Sequence, residues 1–70
     1  MSQVENERES IHLEQFLKVQ GLAGTGGQAK TLIQTGKVLV NGHVEVRRKR
    51  QLFSGDQVAV FDQKMVVEFE

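Results

Sequence analysis

Between Thr25 and Gly42 the chain changes its hydrophobic period once. In the stretch TGGQAKTLIQTGKVLVNG, Ala29, Leu32 and Ile33 fall on one helical face, whereas beyond Gly36 the run KVLVNGHVEV follows a strand-like pattern. Thr25 with Gln28 three residues later has the form of a reciprocal capping box, so a helix is expected to start near Gly26. It should end at Gly36, where a left-handed terminal residue suits glycine. Asn41-Gly42 then signals a two-residue hairpin, since both residue types tolerate positive φ. That turn sets a register in which Val40 faces His43, Leu39 faces Val44 and Val38 faces Glu45.

Upstream, Leu13, Phe16, Leu17 and Leu22 recur at helical spacing, and Gly21 stands where a C-terminal cap belongs. A first helix over about Leu13 to Gln20 should therefore form a helical hairpin with the second, the two being joined through Leu22 to Thr25. Downstream, Ser54-Gly55-Asp56 signals a turn. Beyond it, QVAVF and MVVEF read as two strands joined around Asp62 and Gln63. The expected class is α+β, a helical hairpin followed by a small antiparallel β-sheet. Residues 1–10 read as a disordered acidic tail and 11–70 as one domain.

A chain of 70 residues buries only about 60% of the surface it exposes when unfolded, which leaves little apolar material to wall off an enzyme pocket. There is no cysteine, His12 and His43 are the only histidines, and no His-x-x-x-His pair offers a metal face. The carboxylates lie in charged tails and turns, where no tuned acid–base pair suggests itself. The expectation is a non-catalytic module with no cofactor and no metal. The opening MSQVENERES has no apolar run, and no segment approaches the length of a membrane span, so a cytoplasmic location is expected; the further expectation is a monomer.

A formal net charge of zero hides a marked asymmetry. Residues 1–14 hold Glu5, Glu7, Glu9 and Glu14 against Arg8, and residues 51–70 are acidic as well. Between them, Lys18, Lys30, Lys37, Arg47, Arg48, Lys49 and Arg50 face Glu45 alone, a pattern that points to a polyanionic partner. Four like charges at 47–50 repel one another, and phosphates relieve that repulsion with release of counterions. A solvated, solubilising charge run is the bland alternative. Gly24, Gly26 and Gly27 flank and open the second helix, whose unpaired N–H groups attract anions. The competing reading is a tight interhelical turn. Phe16, Phe53, Phe61 and Phe69 read as core residues, so recognition is expected to use shape and backbone charge in preference to stacking.

Three segments, HLEQFLKVQGL, TGGQAKTLIQTGKVLVNG and VEVRRKRQLFSGDQVAV, together cover residues 12–60 and resemble the S-four RNA-binding domain. The family is named after the fourth protein of the small ribosomal subunit, and the similarity is to its small stand-alone bacterial members. Thr-Gly closing a helix before Lys-Val-x-Val-Asn-Gly is the most distinctive part. The resemblance implies an L-shaped two-helix and hairpin motif that binds structured RNA, typically ribosomal or transfer RNA. Carried over by position, it selects Thr25, Gly26, Gly27, Gln28 and Lys30 at the helix start. It also selects Lys37 and Asn41 at the hairpin, and Arg47, Arg48, Lys49 and Arg50 in the basic run. Many members have arginine where this chain has His12, and Ser-Arg where it has Thr25-Gly26, which shifts the load to Lys30, free N–H groups and the 47–50 run. A protein-interaction or ribosome-assembly module, its basic surface meeting an acidic protein, is the alternative.

Overall fold

The computed structural model describes residues 9–69. It contains β1 (Ser10–His12), α1 (Leu13–Val19), α2 (Gly26–Gln34), β2 (Val38–Val40), β3 (His43–Val44), β4 (Gln51–Phe53), β5 (Gln57–Val60) and β6 (Gln63–Val66). The class is α+β, as expected. Two antiparallel sheets are present: a ribbon of β1 and β4, and a four-stranded sheet in the order β3-β2-β5-β6.

The helical hairpin rests on the anticipated apolar faces. Leu13, Phe16 and Leu17 of α1 are buried, as are Ala29 and Ile33 of α2. They join Ala23, Val38, Val40, Leu52, Val58, Val60 and Val67 in one core. Gly21 and Gly36 take φ values of 79° and 81°, and Lys37 N–H and Gly36 N–H donate back to the carbonyls of Leu32 and Ile33, which closes α2. In the first hairpin Leu39 pairs with Val44 and Val40 with His43, with Asn41 at φ 52° and Gly42 at 87°. Both Asn41 and Gly42 thus hold the positive φ that the sequence called for.

Three expectations need correction. Ser10, assigned above to the tail, pairs with Phe53 in β1–β4, and residues 1–8 of that tail lie outside the described residues. The ribbon itself went unforeseen, because each strand has three residues, too few to display a period, and Ile11 opposite Leu52 is its central apolar pair. The β5–β6 turn lies one residue earlier than expected. Val60 pairs with Gln63, so Phe61 and Asp62 are the loop residues.

That shift takes Phe61 out of the core. Phe61 is 69% exposed and adopts φ 57°, a left-handed conformation that costs an L-residue about 1–2 kcal/mol. Phe16 is buried, and Phe53 and Phe69 are half-buried.

Candidate nucleic-acid interface

At the start of α2, Thr25 is extended, and its Oγ1 accepts a hydrogen bond from Gln28 N–H at 3.1 Å. The reciprocal half of the box is displaced. Gln28 Oε1 accepts from Gly24 N–H at 2.6 Å in place of the Thr25 amide, which anchors the loop one residue further back. Gly26 and Gly27 are exposed, and their amides have no partner among the described residues. A Cβ at Gly26 would meet nothing within 4 Å, and one at Gly27 only Thr25 Oγ1 at 3.8 Å, so the fold itself does not require glycine at either position. Lys30 lies one turn along on the same side as Gly27 and is exposed.

The basic run is not four free cations. Glu45, the sole acid of the chain's central region, is 7% exposed. Its Oε2 accepts from Arg47 Nε at 2.9 Å and from Arg47 N–H at 3.0 Å, and its Oε1 from Arg47 Nη2 at 3.1 Å and Arg50 Nη1 at 2.6 Å. The guanidinium hydrogen bond from Arg47, aided by that backbone N–H and by Arg50 and opposed by burial, holds the carboxyl down at about 2. Such doubly engaged carboxylates fix side-chain direction as well as charge. Arg48 approaches Glu14 at 3.8 Å, a half-exposed pair of little energetic weight. Lys49 is exposed and without an ion-pair partner among the described residues.

The backbone of the same loop completes α1. His12 makes no side-chain cap, and two free donors of the first turn are met from outside the helix: Leu13 N–H by Arg50 O at 2.9 Å and Glu14 N–H by Arg48 O at 3.1 Å. Facing solvent, the loop lines an open cleft of about 770 Å³ together with His12, Gln34, Val46 and Gln51.

The candidate residues therefore fall into separate places. Thr25, Gly27 and Gln28 border a second hollow at the start of α2, whereas Gln34, at its end, borders the cationic cleft. Gly26 and Gln34, the first and last residues of α2, stand about 12 Å apart along its axis. Lys37 is exposed just beyond the end of α2. Asn41 is committed to the fold, its Nδ2 donating to Asp56 Oδ1 at 3.2 Å and its Oδ1 accepting from Gln57 N–H at 2.9 Å. Sequence reasoning missed Glu45 as the organiser of the loop, although its position two residues before Arg47 was the available signal. It also placed Phe61 in the core, whereas the β5–β6 turn leaves that residue exposed. Among the described residues no group of three or more His, Asp or Glu side chains could hold a metal, and no helix is long and apolar enough to cross a membrane.

A family model described as S4 domain matches residues 4–68. A Bacillus subtilis protein named "Probable ribosome maturation protein RlbA" is 42% identical over 52 residues, covering 74% of this chain and 73% of its own length. An Escherichia coli protein named "Putative RNA-binding protein YbcJ" is 37% identical over 49 residues, 70% of each chain. With its helical hairpin, its antiparallel sheet and a profile match over nearly its whole length, this chain belongs to the S4 domain family.

Proposed function

We propose that this chain binds structured RNA, without catalysis, as a cytoplasmic monomer, using the start of α2 and the 47–50 loop as two contact points. The observation that carries the reading is the loop itself. Its backbone is fixed to α1, two of its arginines are fixed by Glu45, and Arg48 and Lys49 are left beside an open cleft. A fixed, partly uncovered cationic ridge suits a rigid helical backbone, which proteins read by shape and phosphate position. Ribosomal RNA is the favoured class over transfer RNA, because one relative carries a ribosome-maturation name and the other an RNA-binding one.

The four cations divide the work on this reading. Arg47 and Arg50 act as the frame, and Arg48 and Lys49 as phosphate contacts. Titrating a ribosomal RNA fragment over a range of salt should give a linear log–log dependence, and Arg48→Ala or Lys49→Ala should each lower its slope by about one. Arg47→Ala should act mainly on thermal stability. RNA affinity indifferent to salt in the unaltered protein, or an acidic protein partner that competes with all RNA binding, would sink the reading.

The α2 end has its own test. Gly26→Ala and Gly27→Ala together should raise stability by about 0.5–1 kcal/mol per site, since alanine is the better helix former and finds room at both. RNA binding should weaken nonetheless, because the added methyls stand between the two amides and an approaching phosphate. Unchanged affinity in that double variant would leave the glycines as turn residues only.

A further inference from the structure

Phe61 is the most solvent-exposed of the four phenylalanines, and it occupies a backbone conformation that glycine, asparagine or aspartate would take at less cost. A bulky ring held at positive φ in a two-residue turn is a strained choice for an exposed site, and strain of this kind tends to accompany a task. The turn carries the ring to the start of α2. There it forms one wall of an open hollow of about 550 Å³, with Leu22 and Leu32 as its other apolar surfaces and Thr25, Gln28 and Thr31 as its polar ones.

The chemistry of this hollow fits a flat heteroaromatic group. One aromatic and two aliphatic residues line it, and no charged side chain does. Gln28 spends its Oε1 on Gly24 N–H, but its Nε2 has no partner among the described residues and retains both donors. The Thr25 hydroxyl accepts from Gln28 N–H and keeps its own proton to donate. An apolar peptide side chain would leave these donors unmet, whereas the edge of a nucleobase supplies acceptors for them. Lys30, on the Gly27 side of α2, provides the opposite charge for a phosphate attached to such a base.

We propose that Phe61 is a stacking platform for one unpaired base of the bound RNA, which is swung out of its helix and held in this hollow. The inference rests on the RNA-binding reading above and adds to it a preference for RNA that carries loop or bulge nucleotides over continuous duplex. Aromatic side chains bind splayed bases in this way, with a contribution per base large enough to detect by substitution.

The chain contains no Trp and no Tyr, so Phe61→Trp introduces a single indole reporter at the platform itself. The probes are an RNA hairpin with an unpaired loop, the same hairpin with abasic loop positions, and a fully paired duplex of equal length. Stacking predicts that the intact hairpin quenches the indole, while the abasic hairpin and the duplex leave it bright. Phe61→Gly, which relieves the turn, should melt no lower than the parent and bind the looped hairpin about tenfold more weakly, with duplex affinity unchanged. Equal quenching by intact and abasic hairpins overturns the proposal, as does parental affinity of Phe61→Gly for the looped hairpin. A dimer in sedimentation that dissociates in Phe61→Gly would assign the hollow to a second copy and also overturn it. Failure of the unaltered protein to bind any of the three RNAs would remove the RNA-binding reading itself, a result distinct from all three of these.

Discussion

Leu17→Ala should leave the protein largely unfolded at room temperature. Leu17 is fully buried, and α1 has seven residues, well short of the length at which a helix persists in water on its own. α1 therefore exists because Leu13, Phe16 and Leu17 enter the shared core beside α2 and β1. Truncating a buried leucine costs about 2–5 kcal/mol, and a single core in a domain of this size rarely supplies more than about 3–5 kcal/mol. The carbonyl of Leu17 also accepts from Leu22 N–H at 2.9 Å and Ala23 N–H at 3.3 Å, so loosening this turn also releases the interhelical loop. Circular dichroism at 25 °C should show most of the helical signal lost, and RNA affinity should fall with it. A cooperative melt within a few degrees of the parent would show that α1 is held by something other than this stripe.

Glu45→Ala should have the next largest effect, a loss of about 2 kcal/mol, or roughly 10 °C in melting temperature for a domain of this length. The substitution removes the acceptor of four hydrogen bonds and leaves Arg47 and Arg50 side by side with no counter-charge. The same group predicts an acid limb. Its carboxyl sits at about 2 in the folded protein against 4.5 ordinarily, so the folded state binds this proton less readily than the unfolded chain. The stabilisation is fully present above about pH 4.5 and is lost as pH falls toward 2. The shift would correspond to about 3 kcal/mol if undiluted, but Arg47 is 71% exposed at its side chain and solvent screens the pair, leaving about 1–2 kcal/mol. Melts of parent and Glu45→Ala should converge as pH approaches 2. Parallel curves down to pH 2 would show that the carboxylate is not what holds the loop.

These two positions also mark what could and could not be read in advance. The stripe containing Leu17 was plain in the sequence, as were Gly36 and Asn41-Gly42, because helical period, terminal glycines and type I′ turn chemistry act within a few residues. The register of β2 with β3 followed from the turn alone. Glu45 was visible as the one acid in a basic region, but its burial depends on β2, whose Val38 carbonyl accepts Glu45 N–H at 3.0 Å. The β1–β4 ribbon depends on partners some forty positions apart, and three-residue strands carry no periodicity to announce them. Phe61 misled for a related reason. QVAVF reads as one apolar run, and only the pairing of Val60 with Gln63 places its last residue in the turn. The candidate contacts at Gly26, Gly27 and Lys30 were legible as residues, whereas their distance from the basic loop was not, since it depends on which end of α2 the loop meets.

The carbonyl oxygens of Arg48 and Arg50 that finish α1 belong to the main chain, which every amino acid supplies. Positions 47 and 50 are tied down by a carboxylate, while 48 and 49 owe the fold almost nothing through their side chains. The segment therefore behaves as a cassette with clamped ends and an interchangeable centre. Two adjacent codons can be rewritten, changing the charge and shape that this edge presents to solvent, while the scaffold beneath stays as it is.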